Sequence, residues 1–193
     1  MSVSRPRSAA TAADLHALPA GVAAEVLHGD IVEKASPTFR HAQAQASIGS
    51  DLFGRFGRPP GGGGPGGWWI GTEVEVEYEP TVIFRHDLAG WRRERSSEPP
   101  DGFPVALRPD WVCEILSPSN WSHDTVSKLK VLQQAEVPYY WIADVEHGAL
   151  TVYRWQAGFY VVAVAAKTGD RQPLPPFDQV ELDIGSLLGV SDE

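Results

Sequence analysis

The spacing of hydrophobic residues changes several times along the chain, and each change predicts a new element. Residues 12–29 carry a short helical pattern, a turn follows at 28–30, and 31–35 is typical of a short strand. Apolar and small residues then recur at helical spacing over 36–56, which predicts the first long helix. This pattern places Glu25 late in the first helix or just after it.

Strands are predicted after a glycine-rich segment, RPPGGGGPGG at 58–67, whose composition is typical of a flexible surface loop. The sequence TEVEVEYEP that follows alternates polar and apolar residues, so its glutamates share one solvated, acidic face. Residues 81–91 predict a second strand, which ends at 89–90, and 108–116 predicts a third. Three successive strands favour an antiparallel meander.

The second half of the chain continues with one helix and then more strands. A helix is predicted over 122–135, followed by strands over 139–143, 150–155 and 159–165. Strands grouped together, with helices before and after them, predict an α+β or mixed α/β fold.

Length and composition favour a single globular domain. At 193 residues the chain is long enough to bury a substantial core, so we expect one domain over 1–193 with a flexible leader at 1–11. No apolar run approaches the about 20 residues that cross a bilayer, and the N-terminus lacks the apolar segment of a secretory signal. The single cysteine, Cys113, lies in an apolar run. We therefore expect a soluble protein of the cytoplasm, without a membrane partner.

The net charge counts against strong binding of nucleic acid through its phosphates alone. It is −9, with a pI of about 5.1, whereas proteins that hold DNA in this way usually present a basic surface. Basic residues nevertheless cluster near Trp91 and are compatible with either a positive stripe or a solvated loop. They are Arg85, Arg92, Arg93 and Arg95.

A glutamate in an apolar strand is the first candidate for chemistry. Both faces of the predicted strand 108–116 are largely apolar, so Glu114 would be central in the sheet and needs a partner. Asp110 lies four residues away, about 13 Å along a strand, and is better suited to a turn or an edge. Asp87, which ends the apolar run of the preceding strand, is the closer candidate.

The pairing of these two acids leaves two interpretations open. Two carboxylates that converge raise each other's pKa unless a cation lies between them, and oxygen ligands suit Mg²⁺ or Mn²⁺. The alternative is a protonated carboxyl pair, or a salt bridge with an arginine such as Arg85.

The next helix directs a lysine at the same sheet. At about 100° per residue, Lys128 falls inside the apolar arc formed by Leu129, Leu132 and Ala135. Asp124 lies one turn earlier, so a buried salt bridge with Lys128 is one interpretation. A lysine with two acids and a metal is also suited to phosphodiester hydrolysis, because the metal polarises the phosphate and activates a water that the lysine orients.

Five stretches together resemble the restriction-endonuclease-like, or PD-(D/E)xK, nuclease superfamily. The similarity is to a large group of bacterial endonucleases in which the catalytic lysine has moved from the strand to the following helix. The stretches cover most of the chain: EVLHGDIVEKASP, RHDLAGWRRER, RPDWVCEILSPSN, DTVSKLKVLQQAEVPYYWIAD and PFDQVELDIGSLLG. The resemblance implies an α/β fold of α+β character, in which helices flank a central mixed sheet with an antiparallel β extension.

The resemblance also implies a metal-dependent endonuclease that acts on nucleic acid, with DNA as the expected substrate and Mg²⁺ or Mn²⁺ as the cofactor. Asp87 and Glu114 correspond to the two metal-binding acids, and Glu25 corresponds to an additional acid from the first helix. Lys128 corresponds to the catalytic lysine. A homodimer is implied because cutting both strands commonly needs two sites. Candidates for contacts with the nucleic-acid backbone are Arg85, Arg92 and Arg93.

Four positions depart from the family pattern. His86 stands where the family usually has proline, and Glu136 stands where it tends to have glycine; Leu116 and Leu132 replace a lysine and a tyrosine. His86 faces away from Asp87 in a strand, so we expect a packed or exposed histidine and not a metal ligand. Glu136 is unfavourable at a helix end that suits left-handed geometry.

The alternative function is a catalytically inactive member of the fold that serves as a binding or assembly module, which the acidic net charge favours.

Overall fold

One eight-stranded sheet organises the protein, and helices pack against both of its faces. The computed structural model describes residues 9–61, 64–117 and 122–190; residues 1–8 of the predicted leader lie outside this range. The helices are α1 (Ala12–His16), α2 (Phe39–Phe56), α3 (Leu129–Gln134) and α4 (Ile184–Leu187), with a π-helical segment, His123–Lys128, directly before α3. The strands are β1 (Ala24–Leu27), β2 (Asp30–Glu33), β3 (Trp68–Glu79), β4 (Val82–Arg92), β5 (Trp111–Ile115), β6 (Tyr139–Asp144), β7 (Ala149–Gln156), β8 (Phe159–Lys167), β9 (Arg171–Pro173) and β10 (Glu181–Asp183).

The main sheet is mixed. Its strands run in the order β2-β1-β4-β5-β6-β7-β8, and β3 also pairs with β4. β5 and β6 are parallel, whereas the other pairs described in this sheet are antiparallel. β9 and β10 form a separate antiparallel pair. The predicted α/β fold with a central mixed sheet is therefore confirmed, and β3, β4 and β5 form the predicted antiparallel run.

β5 is the centre of the sheet because both of its faces are covered. Cys113 and its neighbours on one face pack in a core cluster with residues of α2 and α4, while Val112 on the other face packs with Leu132 of α3. All five residues of β5 are buried, and Cys113 is a free thiol in the core, as predicted. In the part of the chain that the structure describes, no helix is long and apolar enough to span a membrane.

The structure corrects the position of Glu25, which lies in a strand and not at the end of a helix. α1 ends at His16, and β1 and β2 form a hairpin whose two-residue turn consists of His28 and Gly29, at φ angles of 51° and 83°. β1 also pairs with β4, where Val26 lies opposite Ile83. Pairing with β4 decides the conformation of this short segment, whose apolar spacing suits a helix or a strand.

A second correction concerns Gly90, which does not end a strand. β4 continues to Arg92, so Asp87 lies within the strand and not at its end. A Cβ atom on Gly90 would lie 3.0 Å from the ring of Trp111 and 3.3 Å from that of Trp68. The glycine therefore makes room for two indole rings inside a strand and marks no turn.

The acidic face of β3 is also less solvated than predicted. Glu75 is only 5% exposed, because Arg85 of β4 and His16 of α1 both pack against it. Its carboxylate lies 3.0 Å from Arg85 Nη2 and 2.8 Å from His16 Nε2. The two ends of this face, Glu73 and Glu79, are exposed as predicted.

Asp110 anchors the segment that leads into β5. Its Oδ2 accepts a hydrogen bond from the backbone N–H of Arg92 (2.8 Å), and its Oδ1 accepts one from Arg95 Nη1 (2.5 Å). This position before the strand agrees with the turn or edge role that its spacing from Glu114 predicts.

Glu136, the second residue after α3, has the left-handed conformation that suits glycine at a helix end. Glu136 has a φ of 56°, and its carbonyl accepts a hydrogen bond from Arg108 Nη1 (2.8 Å), a backbone contact that glycine would keep.

We expect Glu136→Gly to raise the free energy of unfolding by about 1 kcal/mol, because glycine adopts this region without the steric cost. Urea unfolding measures the change. The control is Ala135→Gly, at a φ of −75°, which should lower stability by about 0.5–1 kcal/mol; a Glu136→Gly protein that is equally destabilised would contradict the argument.

Candidate active site

Acidic and basic side chains from five segments of the chain converge beside β4 and β5. The acids are between 1% and 3% exposed, and the lysine of the π-helical segment is fully buried. The carboxylates come from β1, β4, β5 and the π-helical segment, and one further lysine follows β2. The members are Glu25, Asp87, Glu114 and Asp124 with Lys34 and Lys128. We call this set the acid–lysine cluster; it brings Glu25, Asp87, Glu114 and Lys128, all predicted from the sequence, into one place.

Lys128 lies at the centre of the acid–lysine cluster. Its Nζ is 2.9 Å from Glu25 Oε1, 2.8 Å from Glu114 Oε2 and 3.4 Å from Asp124 Oδ1. At these distances Lys128 Nζ forms ion pairs with the carboxylates, but its angles to them do not meet those of a hydrogen bond. Burial alone would lower the pKa of Lys128, but the surrounding carboxylates outweigh it and hold that pKa well above its ordinary value. The ammonium group is therefore charged. Asp124, the partner expected from the i, i+4 spacing, is one of three carboxylates that contact it.

Asp87 is fixed by partners from three other segments. Its Oδ2 accepts a hydrogen bond from the backbone N–H of Ile115 (2.8 Å) and lies 3.5 Å from His41 Nε2. Its Oδ1 accepts a hydrogen bond from Lys34 Nζ (3.2 Å), which also donates to the carbonyl of Arg85 (2.8 Å). Burial would raise the pKa of Asp87, but His41 and Lys34 outweigh it and the pKa is lowered. Asp87 is thus an ionised carboxylate held in one orientation.

A small cleft of about 110 Å³ opens beside Asp87. Its lining includes Lys34, His41 and Asp124, so basic and acidic groups both face it. Glu114 is not part of this lining and is 1% exposed. The cleft thus gives a ligand access to the Asp87 side of the acid–lysine cluster.

His86 is fully buried and contacts Glu114, although it precedes Asp87 in the strand. Its Nδ1 lies 2.5 Å from Glu114 Oε1, and its Nε2 lies 2.7 Å from the hydroxyl of Tyr78. Burial lowers the pKa of His86 well below its ordinary value, so the imidazole is neutral. Of the two predicted alternatives, packed or exposed, the structure shows the packed one, and it adds a contact with an acid that the face argument did not predict.

The acids of the cluster differ in their pKa. Burial raises the pKa of every acid, but Glu25 is close to Lys128 and Lys34 and accepts a hydrogen bond from His123 (2.7 Å), which together lower its pKa to about 2. Burial and the nearby charge of Asp87 raise the pKa of Glu114 to about 7, because Lys128 and Lys34 do not offset them. Glu25 is therefore ionised, whereas Glu114 titrates near neutral pH.

The charges of the acid–lysine cluster do not balance when all its acids are ionised. Four carboxylates and two lysines leave two negative charges, which is the charge that one divalent cation neutralises. Glu114 Oε2 and Asp124 Oδ1 are buried oxygens with no hydrogen-bond partner among the described residues. Over the same residues, no three His, Cys, Asp or Glu side chains form a metal cage. Mg²⁺ usually keeps several waters and takes one or two carboxylates, so this set of oxygen donors fits Mg²⁺ or Mn²⁺.

Arg85 lies next to the cluster but does not pair with Glu114. Its guanidinium binds Glu75, as described above, while its backbone N–H donates a hydrogen bond to Glu25 Oε1 (2.9 Å). The arginine salt bridge that was the alternative explanation for Glu114 is therefore wrong, and Lys128 takes that place.

Arg92 and Arg93 lie away from the cluster. Five residues along β4 separate Arg92 from Asp87, a distance of about 17 Å. The guanidinium of Arg92 stacks 4.6 Å from the ring centre of Trp68, and that of Arg93 stacks 3.3 Å from that of Trp69. The structure thus brings neither arginine to the acids, and their contact with a nucleic-acid backbone stays a prediction.

Three residues of the site were not found from the sequence: Lys34, His41 and His123. His41 had a usable signal, because it shares the buried face of α2 with Ala44, Ile48 and Leu52 at helical spacing. Lys34 and His123 lie in polar segments whose local pattern gives no such signal. Only the folding of β2 and the π-helical segment against β1 and β4 brings them to Asp87 and Glu25.

Comparisons with known proteins agree with this architecture. The family model described as "Uma2: Putative restriction endonuclease" matches residues 12–185. A crystal structure of "a putative nuclease belonging to DUF820" from Anabaena variabilis ATCC 29413 is similar with a TM-score of 0.68 and 20% sequence identity. The similarity covers 93% of this chain and 97% of that one, and at this identity it shows the fold. No curated protein matches the chain.

Proposed function

We propose, since this chain belongs to the Uma2 family, that it is a Mg²⁺- or Mn²⁺-dependent endonuclease that hydrolyses the phosphodiester bonds of DNA. The observation that carries the proposal is the acid–lysine cluster, in which buried acids exceed lysines by two charges beside an open cleft. Burying uncompensated carboxylates is costly, so the fold retains an arrangement that a bound cation would relieve.

Asp87 and Glu114 are the proposed metal ligands. Asp87 reaches the cleft as an ionised carboxylate, and Glu114 offers an oxygen that has no hydrogen bond. When bound, the cation would polarise the phosphate and lower the pKa of a water. Glu25 is proposed as a further ligand or as the acid that fixes Lys128; its contacts with Lys128, His123 and Arg85 support the second role.

Lys128 is proposed to orient the attacking water and to stabilise the negative charge that develops on the phosphate. Its ammonium is held by three carboxylates, so it would keep its position when a substrate arrives. Arg85, Arg92 and Arg93 are proposed contacts for the DNA backbone, and a homodimer is proposed because double-strand cleavage commonly needs two sites. The buried free thiol of Cys113 fits the reducing cytoplasm as the location.

A second candidate function has one observation in its favour. Lys128 already neutralises part of the charge of Glu114 at 2.8 Å, which is what a purely structural salt bridge would do. In that case the protein would be a catalytically inactive member of the fold that acts as a binding or assembly module. Divalent-ion binding separates the two functions.

Isothermal titration of the protein with MnCl₂ or MgCl₂ tests the proposal. We expect a saturable heat of binding for the unmodified protein and none for Asp87→Asn. Binding should be tighter at pH 8 than at pH 6, because Glu114, with a pKa raised to about 7, must lose its proton before it can bind a cation.

The matched control is Glu79→Gln, which removes one negative charge from an exposed position at the end of β3. This variant should bind the ion like the unmodified protein. A metal-dependent rise in melting temperature, absent in Asp87→Asn, would support the same conclusion. If the unmodified protein gives neither heat nor a rise in melting temperature, the nuclease proposal fails and the assembly module gains support.

A further inference from the structure

We propose that His86 and Tyr78 are positioning residues that hold the Glu114 carboxylate with Oε1 occupied and Oε2 directed to the cation. The inference rests on the proposed function, because it takes Glu114 as a metal ligand. It concerns two residues that lie outside the acid–lysine cluster and touch it through one oxygen atom.

The geometry forms a chain of three side chains inside the protein. The Tyr78 hydroxyl lies 2.7 Å from His86 Nε2, and His86 Nδ1 lies 2.5 Å from Glu114 Oε1. The imidazole is fully buried, and the edge contacts of its ring with Phe84 and Tyr78 hold its plane. Both ring nitrogens therefore have partners, and neither is free to bind a metal.

The chemistry of the partners fixes the direction of both hydrogen bonds. An ionised carboxylate can only accept, so Glu114 requires the proton of the neutral imidazole on Nδ1. Nε2 is then an acceptor, and the Tyr78 hydroxyl donates to it. Tyr78 thus selects the tautomer that Glu114 needs, in the way that hydrogen-bond partners around metal-binding side chains commonly do.

The two oxygens of Glu114 consequently differ. Oε1 is tied to His86, whereas Oε2 has no hydrogen bond and lies 2.8 Å from Lys128 Nζ. A glutamate has several rotatable bonds, and a carboxylate that is free to turn would lose conformational entropy when it binds an ion. Fixing Oε1 in advance leaves Oε2 as the oxygen that would bind a cation.

Three variants test the role of His86 and Tyr78. His86→Leu fills the space without a donor, His86→Asn restores a donor close to the position of Nδ1, and Tyr78→Phe removes only the hydroxyl. We expect His86→Leu to weaken Mn²⁺ binding by about 10–100-fold, His86→Asn to recover most of the loss, and Tyr78→Phe to weaken binding several-fold. Calorimetry measures the affinities, and thermal unfolding without metal records the stability of each variant.

The Mn²⁺ affinities of the three variants together show whether His86 positions Glu114 or only fills space in the core. If His86 only filled the core, Leu would be tolerated at least as well as Asn, and neither would change the affinity of the folded protein for Mn²⁺. Equal Mn²⁺ affinity in His86→Leu and the unmodified protein would overturn the inference and leave the proposed function intact. Failure of the unmodified protein to bind Mn²⁺ would contradict the proposed function and this inference together.

A spectroscopic measurement keeps the inference testable if His86→Leu does not fold. The ¹⁵N chemical shifts of the His86 ring report which nitrogen carries the proton. We expect the proton on Nδ1 in the unmodified protein, where Glu114 Oε1 lies 2.5 Å away as its acceptor. A proton on Nε2 would show that His86 does not donate to Glu114, and would overturn the inference whatever the affinity data show.

Discussion

Replacing Glu114 with glutamine is expected to abolish metal-dependent cleavage of DNA and to leave the protein folded. Glutamine keeps the length of the side chain but removes its negative charge, which is the property that binds a divalent cation. Loss of the cation removes several kcal/mol of transition-state stabilisation, so the rate should fall by about 10³-fold or more. Cleavage of a supercoiled plasmid in the presence of Mg²⁺ or Mn²⁺ measures the rate.

The fold is expected to survive this change for a physical reason. The pKa of Glu114 is raised to about 7, so the folded protein already accommodates a neutral side chain here near physiological pH. The amide oxygen of glutamine can accept a hydrogen bond from His86, but its NH2 group then replaces the oxygen that lies 2.8 Å from the Lys128 ammonium. We therefore expect a loss of about 1–3 kcal/mol, which leaves the protein folded. Glu79→Gln is again the control with the same change of charge. A Glu114→Gln protein that cuts DNA as fast as the unmodified protein would show that the proposed site is wrong.

Replacing Lys128 with methionine is expected to produce the largest loss of stability among the changes considered. Methionine has a similar length but no charge, so Glu25, Glu114 and Asp124 would be left in the interior without their shared partner. Removing one partner of a buried ion pair commonly costs about 3–5 kcal/mol. Urea unfolding at pH 7 measures the free energy of unfolding.

Lys130→Met is the matched control, because Lys130 lies two residues further along and is exposed. Its free energy of unfolding should change by about 0.5 kcal/mol or less. The loss in Lys128→Met should shrink at pH 5, since Glu114 and Asp124, whose pKa values burial raises to about 7 and about 6, take up protons there. If Lys128→Met costs no more than the control at pH 7, the acids do not depend on the lysine.

Local patterns were sufficient to place several of the elements and to predict which way particular residues face. The period of two around Glu114 predicted a central strand with two apolar faces, and β5 is that strand. The helical arc predicted that Lys128 points at the sheet, where it contacts Glu114. Both predictions depend only on the geometry of one element, which the sequence of that element determines.

What the sequence did not predict depends on contacts between distant segments. Glu25 was placed late in a helix or just after it because four residues of β1 have no distinctive period, and their pairing with β4 decides their conformation. The contact of Lys34 with Asp87 joins residues 53 positions apart, and that of His123 with Glu25 joins residues 98 positions apart. No local pattern carries such information. Gly90 misled the prediction for a related reason, since its role is to accommodate the rings of Trp68 and Trp111.

The π-helical segment before α3 has a consequence for which changes in chain length the protein tolerates. A π-helix closes its hydrogen bonds over one residue more than an α-helix does. Deleting one residue between Asp124 and Lys128 would let the segment close as an α-helix while the turns on either side keep their facing, because a π turn holds one residue more than an α turn. Asp124 and Lys128 would then be three positions apart and would still share one face of the helix. The wide turn therefore behaves like an inserted residue, and its loss should be tolerated better than a deletion within α3, which would turn every residue on one side by about 100°.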